Sequence, residues 1–307
     1  MTGKVVNDQH DRAIGCLLGL DCGDALGGAV EFRDRANLDR TFPDGVRDIT
    51  GGGPHRLEPG EYTDDTDMAL AIARACTEEG IDLDAVAANF VAWYHAGPKD
   101  IGIATSQALD LIGRGVPWQE AGEQLQRASS QGVAGNGTVM RCAPLALRFQ
   151  SEPDRLRWSS IETARMTHAD PRATWGAVAF NQGIAHLLSG NGRQGLIEAA
   201  VQDVQNGGVV DAITRAPGMV RNDVVSGGYV LDTLNAAFWS LLTTNSAEEA
   251  VVRAVSLGSD TDTTGAVAGA LAGTLYGAST LPTRWLDVLH NVAEIRALAI
   301  QLVSWDA

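Results

Sequence analysis

Two short stretches concentrate oxygen chemistry at the head of apolar segments. TDDTDM (63–68) sets Asp64, Asp65 and Asp67 among two threonines, and GSDTDTTG (258–265) sets Asp260 and Asp262 beside Ser259 and three threonines. Helix capping is the simplest use of Asp, Thr and Ser, but a cap needs one such residue and at most an acid in the first turn. Carboxylates crowded this closely repel unless they are solvated, protonated or bound to a cation. No His or Cys neighbours either stretch, so the donors are all oxygen, which favours Mg²⁺, Mn²⁺ or Ca²⁺ over zinc. The charges of Asp64, Asp65, Asp260 and Asp262 balance two divalent ions, the charge count of a two-metal centre with ions about 3.5–4 Å apart.

Two look-alike motifs fail on context. DTDTTG begins like an EF-hand loop, but the twelfth place, which should be a bidentate Glu, is Leu271. The same letters match the DxDx[TV] start of haloacid-dehalogenase-like phosphatases. That motif belongs after a buried strand near the start of an α/β fold, and here it falls late in a helical chain.

The elements that must position these acids read as helices. Apolar spacing predicts helices over 11–27, 66–79, 82–95, 100–113, 118–129, 158–167, 172–189, 228–243, 247–256, 262–276 and 283–303, with β-branched strand-like runs nearly absent. The longest irregular pieces are 31–63, containing GGGPHRLEPGEY, and about 206–227. With no linker dividing the chain, the reading is one compact all-α domain over 11–307 preceded by a short extension, 1–10. Two glycine rows stand out: Gly15, Gly19, Gly23 and Gly27, then Gly265, Gly269, Gly273 and Gly277, each spaced by four and so on one helix face. A mid-helix glycine costs about 0.8–1 kcal/mol against alanine. The expectation is that the two rows face close neighbours, each other among the candidates.

Composition narrows the function class. The 307 residues carry a net charge of −15, which disfavours nucleic acid and anionic membranes and suits divalent cations. No secretory leader is evident at the N-terminus, and no run approaches the ~20 apolar residues of a membrane span. Cys16, Cys22, Cys76 and Cys142 lack C-x-x-C spacing and sit in apolar runs, which predicts buried reduced thiols and a cytoplasmic protein.

The pattern as a whole resembles the ADP-ribosylglycohydrolase family of the DraG type, over about 11–300. Its motifs occur in order: GLDCGDALGGAVEF (19–32), TDDTDM (63–68), GNGTVMRCAPLAL (135–147), THADPRA (167–173), GGYVLDTLNAAFWSLLTT (227–244) and GSDTDTTGAVAGALAGTLYG (258–277). The resemblance implies an all-α, orthogonal helical fold with two Mg²⁺ or Mn²⁺ ions in a cleft. Carried over by position, Thr63, Asp64, Asp65, Asp260, Asp262 and Thr263 are the metal ligands. Glu31 falls where similar enzymes place a glutamate near the metals, and Asp100, in GPKDIGIA, falls where the family's namesake has a functionally important aspartate. Both are candidates for acid/base work, with the two roles not separated. Gly135, Asn136, Gly137 and His168 match positions lining the ADP-ribose cleft.

The residue chemistry suits that implication. Backbone N–H groups of a Gly-rich loop bind a pyrophosphate. Vicinal ribose hydroxyls suit a metal pair, and the anomeric carbon is attacked through an oxocarbenium-like state by a water whose pKa a metal lowers. The reading is therefore a cytoplasmic hydrolase freeing ADP-ribose from modified protein, first at an N-glycosidic arginine because PKDIG resembles the arginine-directed namesake. A serine O-glycoside, O-acetyl-ADP-ribose, an ADP-ribosylated base, or a non-catalytic ADP-ribose binder are the alternatives. Asp24 reads either as an acid orienting a metal ligand or as an exposed helical acid, Asp67 as a cap or a supporting acid, Tyr229 and Trp239 as core, and His10, His55, His95, His186 and His290 as surface or structural.

Overall fold

The two glycine rows meet. In the computed structural model, which describes residues 2–305, a Cβ placed on Gly15 would lie 2.1 Å from the Gly273 carbonyl oxygen, one on Gly19 2.2 Å from that of Gly269, and one on Gly23 2.0 Å from that of Gly265. Only glycine tolerates such an approach. Position numbers rise along one helix as they fall along the other, so the helices are antiparallel. The long first helix, α1 (Thr2–Gly28), is thereby laid backbone to backbone on α14 (Thr261–Tyr276). The C-terminal end of α1 comes to the N-terminal end of α14, where the Thr261 hydroxyl donates to the Gly27 carbonyl at 2.8 Å.

Around this pair the chain winds α2 (Arg35–Thr41), α3 (Asp64–Ala75), α4 (Leu83–His95), α5 (Ile103–Gly113), α6 (Trp118–Ala128), α7 (Ala143–Arg148), α8 (Pro153–Arg165), α9 (Pro171–Leu188), α10 (Leu196–Val201), α11 (Gly207–Arg215), α12 (Val230–Leu242) and α13 (Ala247–Val255), and closes with α15 (Thr283–Leu286) and α16 (Val292–Ser304). Extended pairing among the described residues is limited to isolated bridges, so the fold is all-α, in one hydrophobic core. Both α1 and α14 are buried on nearly every face from residue 15 onward, which explains why neither shows an amphipathic stripe in sequence.

Most predicted helices appear within a few residues. The exceptions have local causes. Residues 206–227 are not a plain loop: Asn206 accepts from Val209 N at 3.1 Å and starts α11. The 283–303 segment breaks where Asn291 adopts φ +56°. Helix α2 lies inside the segment read as irregular and starts on Asp34, which accepts from Asn37 N at 2.7 Å. The four cysteines are buried and free, and burial pushes the Cys16, Cys76 and Cys142 thiols up to about 12. No helix among the described residues is long and apolar enough to cross a membrane.

Candidate metal centre and substrate cleft

The acid stretches start α3 and α14, and α1 brings them together. Asp24, wholly buried in α1, accepts four hydrogen bonds: from Thr63 N (2.9 Å) and Oγ1 (2.7 Å), and from Thr66 N (3.0 Å) and Oγ1 (2.6 Å). It is buried, not an exposed helical acid. By taking the Thr63 hydroxyl proton it leaves the lone pairs of Oγ1 free, 3.3 Å from Asp65 Oδ2. Burial raises Asp24 to about 6 despite these bonds. From the other side, Thr263 N donates to Asp262 Oδ1 (2.9 Å) and Thr263 Oγ1 to Asp65 Oδ2 (3.4 Å). Asp67 turns away and accepts from Trp93 Nε1 at 2.9 Å.

Neither Thr63 nor Asp260, the residues at the two cap positions, makes a side-chain cap bond. Asp65 Oδ1, Asp260 Oδ1 and Asp262 Oδ2 are enclosed with no hydrogen-bond partner. Buried polar atoms are rarely left so without an ion or water to meet them. Burial, and then the neighbouring carboxylates, raise Asp64, Asp65 and Asp262 well above the usual range, and burial raises Asp260. A set of all-oxygen donors that resists its own ionisation, with lone pairs aimed at one another, fits hard divalent cations.

Glu31 and Asp100 join this floor, and so does a residue that sequence reasoning had set aside. His55 Nε2 bonds Glu31 Oε2 and lies 3.8 Å from Asp100 Oδ1, while His55 Nδ1 lies 3.2 Å from the Lys99 carbonyl oxygen. One donor atom from each of Glu31, His55, Asp100 and Asp262 falls within 4.8 Å of the others. Burial raises Glu31 to about 7, the bond to His55 opposing it and Asp100 adding to it. His55 sits in an irregular loop, where no periodicity marks a partner; its one signal was the surrounding glycine-rich segment. Three of the five non-glycine residues with positive φ among the described residues cluster here: Phe32 (62°), Arg56 (54°) and Ser259 (65°). Strain of this kind gathers at functional sites.

The wall opposite is built from 135–137 and His168. A Cβ on Gly135 would meet His168 Nε2 at 2.9 Å and one on Gly137 would meet Cε1 at 2.9 Å, so the glycines make room for the ring. Arg141, fully buried, can only donate, and its Nη2 does so to Thr167 Oγ1 at 2.7 Å. The Thr167 oxygen lies 2.7 Å from His168 Nδ1, so a hydroxyl proton directed there pairs with the tautomer protonated on Nε2, the atom at the glycine wall. Burial, with Arg141 adding to it, lowers His168 to about 3, so the ring is neutral. Asn136 spends its amide on Asp260 Oδ2 (2.9 Å) and Thr233 Oγ1 (3.0 Å), and so positions an acid of the floor. Tyr229 is half-buried beside Gly135 and packs against the core, whereas Trp239 is core and donates to the Met219 carbonyl at 3.0 Å. Together floor and wall enclose a cleft of about 450 Å³.

The family model for ADP-ribosylglycohydrolases matches residues 6–306. The chain belongs to the ADP-ribosylglycohydrolase family. It is 34% identical to the ADP-ribosyl-[dinitrogen reductase] glycohydrolase of Rhodospirillum rubrum, covering 96% of this chain and 94% of that one. It is 34% identical to the ADP-ribosylarginine hydrolase Tri1 of Pseudomonas putida (strain GB-1), over 95% of this chain and 78% of that one. A solved structure described as an ADP-ribosylglycohydrolase-related protein complex superposes with a TM-score of 0.83 at 35% identity, covering 98% of this chain and all of that one. This family member is thus a hydrolase built on the family's fold.

Proposed function

We propose that the protein removes ADP-ribose from modified arginine side chains of proteins, in the cytoplasm, with two Mg²⁺ or Mn²⁺ ions held by Thr63, Asp64, Asp65, Asp260, Asp262 and Thr263. The observation that carries the reading is the pairing of an acid floor with three unmet oxygens and a glycine–histidine wall along one cleft. The names of the two relatives at 34% identity, one acting on ADP-ribosyl-dinitrogen reductase and one on ADP-ribosylarginine, support the substrate. The four buried, free cysteines suit a reducing compartment.

When bound, the cations hold the vicinal hydroxyls of the distal ribose and lower the pKa of a water beside its anomeric carbon. The chain's own groups do the rest. Backbone N–H groups of Gly135 and Gly137 and the His168 ring hold the pyrophosphate. Asn136 keeps Asp260 aimed at the floor. Glu31, at about 7, is matched to take the attacking water's proton on a carboxylate oxygen, with His55 orienting that carboxylate through Nε2. Asp100, half-buried at the rim, faces the departing guanidine.

The test is ADP-ribose release from two matched peptides, one modified on arginine and one on serine, with Mg²⁺, with Mn²⁺ and with chelator. Cation-dependent release from the arginine peptide alone is the expected result. Release from serine alone would keep the floor's assignment and overturn the linkage.

A further inference from the structure

The two most exposed large hydrophobic residues among those described, Ile103 at 79% and Phe32 at 69%, both line the acid cleft. Leaving a phenylalanine in water forgoes the gain of burying it. Phe32 also holds φ +62°, a rare setting for a bulky side chain. The setting is imposed by a reciprocal pair of backbone bonds, Phe32 N to the Ser259 carbonyl and Ser259 N to the Arg33 carbonyl, each 2.8 Å. Two strained residues thus brace each other beside Glu31 and Asp260, and the product of that bracing is an aromatic ring standing at the cleft mouth. Its recorded ring contact is edge-on to His55, centroids 6.1 Å apart.

The walls of the cleft form a closed circuit that locates this ring. Phe32 bonds Ser259; Ser226 Oγ bonds the Gly258 carbonyl; Asn136 N bonds the Gly228 carbonyl at 3.0 Å. Gly137 lies against Thr105 of α5, Gly102 N holds Asp64, and Lys99 returns through His55 to Glu31. Phe32 thus lines the same cleft as the 135–137 and His168 wall, linked to it through Ser259 and Ser226 on one side and through Glu31, His55 and Lys99 on the other. If the pyrophosphate lies on that wall and the ribose over the acids, the group leaving the anomeric carbon lies at Phe32. Ile103, at the start of α5, stands on the pyrophosphate side of the circuit.

We infer that Phe32 is the acceptor-side subsite, its ring face packing on the ADP-ribosylated guanidinium while Glu31 and Asp100 beside it match the cation's charge. A glycosylated guanidinium keeps its positive charge and its flat face, so it suits an aromatic surface flanked by acids. A serine ether offers neither. This rests on the arginine reading above.

The test compares wild type with Phe32→Ala, Phe32→Leu and Phe32→Tyr by turnover of the arginine-modified peptide and by calorimetric binding of ADP-ribose with Mg²⁺ saturating. Phe32→Ala and Phe32→Leu are expected to lower kcat/KM about tenfold with ADP-ribose affinity unchanged, and Phe32→Tyr to retain activity. Should Phe32→Ala fail to fold, the Leu and Tyr pair still decides. Full activity in Phe32→Leu overturns the stacking role. An equal loss of ADP-ribose affinity puts the ring on the product instead and overturns it too. A wild type that leaves the arginine peptide intact removes the linkage reading and this subsite together, whereas a wild type that cleaves it while every Phe32 variant keeps pace removes the subsite alone.

Discussion

Asp82 and Asp262 both sit at the head of a helix, and they live in opposite chemistries. Asp82 spends its carboxylate on Ala85 N at 3.0 Å and starts α4; Asp34 and Asp170 do the same for α2 and α9. Arg172 beside Asp170 holds that carboxyl below its usual range. At α3 and α14 the residue at the cap position makes no side-chain cap bond; Asp262 Oδ1 meets only the adjacent Thr263 N, Oδ2 meets nothing, and Asp65 and Asp262 are raised by burial and by their neighbours. The same residue type near a helix start is a cap where its oxygens meet the free backbone N–H groups of the first turn. Where two helix heads converge, Asp65 Oδ1, Asp260 Oδ1 and Asp262 Oδ2 are left unmet, an arrangement that suits a cation. The convergence is a tertiary event, set by the glycine contact of α1 with α14 and by Asp24 reaching α3.

The sharpest way to break this contrast is to neutralise one acid of each kind. Asp64→Asn or Asp260→Asn should lower turnover on the order of a thousandfold with the fold retained. Asp82→Ala should leave turnover unchanged and lose about 1 kcal/mol of stability, read in urea unfolding. Full activity in both floor variants would return those acids to the capping class.

A second way attacks the device that brings the floor together. Gly269→Val puts side-chain atoms where the Gly19 carbonyl stands, a Cβ alone meeting that oxygen at 1.9 Å. The expected loss is about 3 kcal/mol or more, with cation binding weakened in whatever protein remains folded. The same change at Gly97, where a Cβ meets nothing within 4 Å but φ is +77°, should do no more than strain the local turn.

A smaller effect sharpens the opposite wall. His168 is lowered from 6.5 to about 3 by burial, so the unfolded chain takes up its proton first as pH falls. The stability tied to a neutral ring is therefore complete above about pH 6.5 and drains at up to roughly 1.4 kcal/mol per pH unit as pH drops toward 3. His168→Gln should flatten that part of the profile between about pH 6.5 and 5, measured by urea unfolding. An unchanged slope would mean that the folded ring does not titrate below its usual value.

Much of this was readable in the residues. Aspartates crowded beyond capping need, two glycine rows in register and six ordered motifs pointed to the family, to the helical fold and to the acids of the floor. What stayed hidden was carried by contacts without periodicity. His55 reaches Glu31 from an irregular loop. Arg141 and Thr167 reach His168 from two motifs, GNGTVMRCAPLAL and THADPRA, that the sequence marked without showing their contact. Asn136 was placed at the substrate, yet its amide serves Asp260. Pairwise hydrogen bonds across distant elements leave no spacing to count, and so only the folded chain reveals them.

The account stands most directly on one comparison: urea unfolding of wild type and Asp262→Asn, each with Mg²⁺ and with chelator. If the floor is a cation seat, Mg²⁺ stabilises wild type strongly and the variant weakly. In chelator the ranking inverts, because removing one charge relieves repulsion among Asp65, Asp260 and Asp262, and the variant's advantage grows as pH rises and the raised carboxyls are forced to ionise. A variant less stable than wild type in both conditions, with no effect of Mg²⁺ on either, would contradict the seat and leave only caps.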